Sequence, residues 1–115
     1  MQLNFADEPA AQDMINIIMR DKKVSAADAV LFAINEKNYR SIVMTGWASI
    51  ALSMWGHSEP ERVWDTLENP VIEVELDEKK KELLDRIMKI EKIKTEIIAV
   101  EYFLIFAMDS LGYHI

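Results

Sequence analysis

From Glu78 to Leu111 the chain contains neither glycine nor proline, and Ile90, Ile93, Ile97, Val100, Leu104, Ala107 and Leu111 follow one another at alternating spacings of three and four. That is the period of an amphipathic helix, and Asp77 stands where its side chain can cap the first turn. At about 1.5 Å of rise per residue, one unbroken helix would be roughly 50 Å long. A compact domain of this size has a radius of gyration of about 13 Å. Two solutions are open. Either the helix bends near Lys92 to Thr95, or its first half projects and buries Leu83, Leu84, Ile87 and Met88 against another chain. In both cases Lys79, Lys80, Lys81, Asp85, Arg86 and Lys89 supply a wet face. The second solution is a homodimer through the 78–111 helix.

The rest of the chain points the same way. Its 115 residues suit one domain, and with half of them apolar, 3 glycines and 3 prolines the composition favours long helices over disorder or sheet. The expected fold is all-α: a single-domain bundle of about five helices spanning 1–115, with a long C-terminal helix. A first helix begins at Asp7-Glu8-Pro9, where Asp7 can cap and Pro9 suits the first turn. Met14, Ile15, Ile17, Ile18 and Met19 give it a broad apolar face, with Asp13, Asn16 and Arg20 on the other. Ser25 and Asp28 form a variant capping box for a second helix reaching about Lys37, with Val30, Leu31 and Ile34 toward the core.

A third helix is expected from about Tyr39 to Trp55, stopped by Gly56. Ser41, Thr45, Ser49 and Ser53 recur every four residues and form a ridge of small polar side chains, with Gly46 and Ala48 beside it, suited to close helix contact and opposite Val43, Trp47, Ile50 and Met54. Ser58 and Glu61 form another capping box, for a short helix that Asn69-Pro70 ends. Ile72-Glu73-Val74-Glu75-Leu76 alternates like a half-buried strand, but without an evident partner it reads as an extended connector.

Charge is concentrated in one place. The net charge is −7, and the stretch from Glu59 to Glu75 sets Glu59, Glu61, Asp65, Glu68, Glu73 and Glu75 against Arg62 alone. Such a field attracts a basic partner and repels nucleic acid, and no Lys/Arg stripe with interleaved aromatics argues otherwise. Trp55 and Trp64 flank the start of this stretch and could anchor an interface, since aromatic residues ringed by polar ones make good hot spots. The absence of cysteine excludes disulfides and thiolate zinc sites, and the first residues lack the basic start and apolar run of a signal peptide. A cytoplasmic location is expected. Glu101 interrupts the apolar run Ile97–Met108, which is too short for a membrane span of about 20 residues.

Glu101 is the chemically odd residue, because Ile97, Ile98, Leu104 and Ile105 are its helical neighbours. Burial would raise its pKa and fit it for proton transfer. The plainer reading pairs it with Arg40, Arg20 or a tyrosine hydroxyl. Glu61, Asp65 and Glu68 share a helical face near His57, yet their spacing matches neither a calcium loop nor a di-iron pattern. Ser58 beside His57 is a cap rather than a nucleophile. No catalytic residue, metal or cofactor is expected.

Small size, helical build, no cysteine and a local acid cluster at Glu59, Glu61, Asp65, Glu68, Glu73 and Glu75, with Trp55 or Trp64 nearby, resemble the immunity proteins that neutralise bacterial nuclease toxins. The resemblance lies in charge and build, not in an aligned motif. It implies a non-catalytic inhibitor that docks on a basic toxin domain and keeps substrate away. Two other classes fit the residues less fully: a homo-oligomeric helical accessory protein of phage or plasmid origin, and a small helical enzyme or metal protein using Glu101.

Overall fold

The connector at 73–75 has a partner, and the partner is the start of the chain. In the computed structural model, which describes residues 1–39, 45–55 and 72–113, β1 (Gln2–Asn4) pairs antiparallel with β2 (Glu73–Glu75). The register sets Leu3 against Val74, each 2% exposed, and turns Gln2, Asn4, Glu73 and Glu75 outward. The ladder is extended at both ends by Phe5 N–H to Ile72 O (2.6 Å) and Leu76 N–H to Met1 O (2.8 Å). Phe5 and Leu76 join the core beneath it.

Helix α1 (Pro9–Lys22) opens with Pro9 in its first turn, as expected, but the N-cap is Glu8 and its side chain makes no capping bond. Ala11, Met14, Ile15, Ile17 and Ile18 are buried along it. Helix α2 (Ala26–Tyr39) begins as the capping box predicts, with Asp28 N–H donating to Ser25 Oγ at 3.2 Å. Asp28 then faces Lys80 at 3.7 Å instead of closing the box. Helix α3 covers Thr45–Met54. Gly56 and the expected helix at 58–67 lie outside the described residues.

The single 78–111 helix is not formed. Helix α4 (Glu78–Glu91), capped by Asp77 through Lys80 N–H at 2.9 Å, stops at Lys92 in the left-handed conformation (φ 58°). Helix α5 (Glu96–Ser110) restarts after Thr95. The unbroken rhythm of threes and fours joins two different stripes. In α4 the buried residues are Leu84, Ile87 and Met88, while Ile90, on which the rhythm depends, is 65% exposed. A rod of roughly 50 Å would overrun the 34 Å longest dimension of the fold, whose radius of gyration is 12.8 Å. Because the chain covers Leu84, Ile87 and Met88 itself, the motive for a dimer through 78–111 disappears.

Helix α5 is the central element, buried from Ala99 to Met108 except at the partly buried Tyr102, and packed against α1, α2, α3, α4 and β1. Glu8 meets Glu101 and Arg20 meets Tyr113; both pairs are 93 positions apart (8 to 101, 20 to 113), so α1 and α5 run parallel. The fold is all-α in class, with one small two-stranded sheet. Among the described residues no helix is long and apolar enough to cross a membrane.

The faces of α3 differ from expectation. Its core side is Ala48, Ala51 and then Trp55, whereas Ser49 and Ser53 face water, Ser53 Oγ donating to Ile50 O at 2.8 Å. The other expected core face is also outward: Trp47 is 37%, Ile50 63% and Met54 45% exposed, with Trp47 touching Phe106 at a ring separation of 5.4 Å. Alanines, not serines, allow the close approach to α5. In so apolar a helix, polarity was a poor guide to which side is covered.

Candidate functional site

The acid-rich stretch enters the described structure at its end. Glu73 and Glu75 are successive outward residues of β2, two positions apart and therefore on one face of the strand. Gln2 Nε2 donates to Glu73 Oε2 at 3.0 Å, and the Met1 ammonium lies 3.2 Å from Glu75 Oε1, whose side chain is 69% exposed. These are solvent-screened contacts that leave both carboxylates on the surface. Glu59, Glu61, Asp65, Glu68 and Trp64 lie outside the described residues, as do Arg40, His57, Ser58 and His114.

Trp55 is not the exposed anchor that its position suggests. It is 8% exposed, and its indole N–H donates to Asp13 Oδ2 at 2.8 Å. Asp13, placed on the wet side of α1 by the sequence pattern, is fully buried. The bond ties the end of α3 to α1. A buried indole with an internal acceptor adds to the core and presents nothing to a partner.

Glu101 is buried, at 5% exposure, but none of the expected cations meets it among the described residues. Arg20 instead donates to Asp21 and to Tyr113, and the Tyr113 hydroxyl donates to Asp21. That cluster holds Asp21 below the ordinary carboxylate range, chiefly through the tyrosine hydroxyl, and raises Tyr113 above its usual value, chiefly through burial. The group that acts on Glu101 is another carboxyl, Glu8, at the N-terminus of α1. Burial first, then the like charge of Glu8 and the hydrogen bond between them, push Glu101 up to about 7. Two carboxylates repel, and a hydrogen bond between them needs a proton.

A second buried pair obeys the opposite logic. Lys37 Nζ, in the last turn of α2, lies 2.6 Å from Glu91 Oε1 at the end of α4, and both side chains are 5% exposed. The ammonium also sits 5.5 Å from the centre of the Phe106 ring on α5, an orientation that a cation favours. Glu91 Oε2 is buried without a hydrogen-bond partner among the described residues. The sequence carried a signal for this pair. Lys37 continues the stripe Val30, Ala33, Ile34, and Glu91 continues Leu84, Ile87, Met88, so opposite charges end two core stripes.

Chemically, the described residues offer one buried carboxyl pushed toward neutrality beside a second acid and one buried ion pair. No group of three or more His, Asp or Glu among them could hold a metal ion. Compared with known proteins, the chain matches no family model, no curated protein and no solved structure.

Proposed function

We propose that the protein is a non-catalytic inhibitor that binds a basic protein domain, in the manner of an immunity protein neutralising a nuclease toxin. The observation that carries this reading is the exposure of Glu73 and Glu75 side by side on β2, at the end of the stretch that also holds Glu59, Glu61, Asp65 and Glu68. Several carboxylates elsewhere are engaged internally: Asp13 with Trp55, Asp21 with Tyr113, Asp77 with its helix cap and Glu91 with Lys37. The acids of 59–75 are the chain's main excess of charge, and a one-sign surface speeds encounter with a basic partner while rejecting acidic ones. Trp55 has no part in the proposed contact, which leaves Trp64 as the aromatic residue of that stretch.

The test uses basic nuclease domains from the genomic neighbourhood, with association followed by stopped flow at several salt concentrations. Reversing Glu73 and Glu75 to Lys should slow association about tenfold at low salt and flatten its salt dependence, and adding Glu61, Asp65 and Glu68 reversals should slow it further. Rates indifferent to both sets would contradict this surface.

A further inference from the structure

Phe5 N–H reaches Ile72 O at 2.6 Å, Leu76 N–H reaches Met1 O at 2.8 Å, and the Met1 ammonium lies 3.1 Å from Leu76 O. Opposed residues of an antiparallel ladder alternate between pairs that exchange backbone hydrogen bonds and pairs that do not. Met1–Leu76, Leu3–Val74 and Phe5–Ile72 are therefore the bonded pairs, and Gln2–Glu75 and Asn4–Glu73 are the others. The backbone N–H and C=O groups of Glu73 and Glu75 point away from β1, and among the described residues they have no hydrogen-bond partner. This is an open strand edge, and both residues on it are exposed. We propose that the outer edge of β2 takes up an extended segment of the basic partner as a third strand, with Lys or Arg at alternate positions beside Glu73 and Glu75 and apolar side chains between them. Such docking rests on the inhibitor reading for the partner's charge and adds the form in which that partner binds.

Charge and shape select this occupant. Glu73 and Glu75 lie on one face of β2, and an added strand sets its own alternate side chains beside them, where opposite charges stabilise the pairing. The contacts that the two carboxylates already have are the neutral amide of Gln2 and the Met1 ammonium, so the face keeps a negative excess. On the other face, Ile72 precedes Val74 by two positions and is exposed where Val74 is buried, which gives the apolar side chains of an incoming strand a place to rest. The edge of β1 presents Gln2 and Asn4 and has no side-chain charge to offer a basic segment. A second copy of the chain fits worse, because β2 paired antiparallel with itself sets Glu73 against Glu75 twice over, and like charges directly opposite are destabilising. Charge on an edge also serves simply to keep copies of a protein apart. That lesser role predicts no uptake of a strand.

The probe is a capped peptide of about seven residues in which Lys alternates with Val, titrated into isotope-labelled protein at low salt and followed by NMR. Binding should slow hydrogen exchange at the Glu73 and Glu75 amides by about tenfold or more, while the Leu3 and Val74 amides, already bonded, stay as they were. Backbone N-methylation of the peptide separates an added strand from a charged tether. Antiparallel addition turns the Lys amides toward β2, so methylating them should weaken binding by about tenfold or more while methylating the Val amides should not, and parallel addition gives the reverse. In the protein, Glu73→Pro removes one outward N–H and leaves the ladder to β1 whole; it should weaken binding about tenfold beyond Glu73→Gln, which removes charge alone. A peptide that does not bind, or that binds equally with either set of amides methylated, overturns strand addition, and so does protection of the same two amides by self-association without peptide. Nuclease association that charge reversal slows, but in which Glu73→Pro behaves as Glu73→Gln, overturns strand addition and spares the inhibitor reading; indifference to charge reversal sinks that reading whatever the peptide does.

Discussion

Two ionisable pairs lie around α5, and they are built on opposite principles. Lys37 and Glu91 carry opposite charges, so each repays part of the other's desolvation, and Phe106 offers the ammonium its ring face. Glu8 and Glu101 carry the same charge, so their contact depends on a proton drawn from solvent. The first pair joins the ends of α2 and α4. The second sets an acid at the start of α1 against a buried acid of the central helix, whose contribution to stability depends on pH.

Breaking the opposite-charge pair has the largest expected effect. Lys37→Met leaves the Glu91 carboxylate buried and uncompensated, and should lower the unfolding free energy at pH 7 by about 3–5 kcal/mol in urea titrations. Replacing both residues by Met should recover most of that loss, because no charge then remains to be desolvated. A single substitution costing less than about 1 kcal/mol would mean that the pair behaves like a surface bridge.

The like-charge pair is probed by pH. Glu101 has its ordinary value of 4.5 in the unfolded chain and about 7 in the folded one, so between those values the folded protein holds a proton that the unfolded chain has lost. Stability should therefore be greatest below this window, fall as pH rises through it, and level off above about 7, a total loss of up to about 3 kcal/mol. The difference curve between wild type and Glu101→Gln isolates this contribution from the other carboxylates. A difference curve with no slope in that range would remove the contrast between the pairs.

The smallest effect separates the Lys37–Glu91 pair from the turn beside it. Lys92 follows Glu91 and takes a left-handed conformation, φ 58°, that costs a side-chain-bearing residue more than it costs glycine. Lys92→Gly should raise stability by about 0.5–1 kcal/mol, the relief outweighing the added entropy of the unfolded chain. An equal gain in the Lys37→Met, Glu91→Met background would show that turn and ion pair are independent. A smaller gain there would couple them.

What the sequence disclosed follows from the range of each interaction. Ser25 and Asp77 mark helix starts because capping acts within one turn, and Pro9 marks a third through its fixed backbone angle, although the cap expected from Asp7 is not formed. The break at Lys92 was one of two readings, since only packing shows that Ile90 lies outside the α4 stripe. β1 was missed because three residues with one inward side chain, Leu3, carry no period, and its partner lies beyond residue 70. The faces of α3 were misassigned because apolar and small residues surround that helix on all sides. Burial of Glu101 was legible from its neighbours, but Glu8 as its partner was not, for the two meet across 93 positions through the parallel packing of α1 and α5. Of the acidic surface, Glu73 and Glu75 are the members whose placement the described structure adds to the sequence.

The most direct test is to follow the side-chain carboxyl carbon of Glu101 by NMR as pH is raised. A proton held between Glu8 and Glu101 predicts a midpoint near 7 that falls by about one unit or more in Glu8→Gln. A midpoint at the ordinary 4.5 in the wild type would contradict the account.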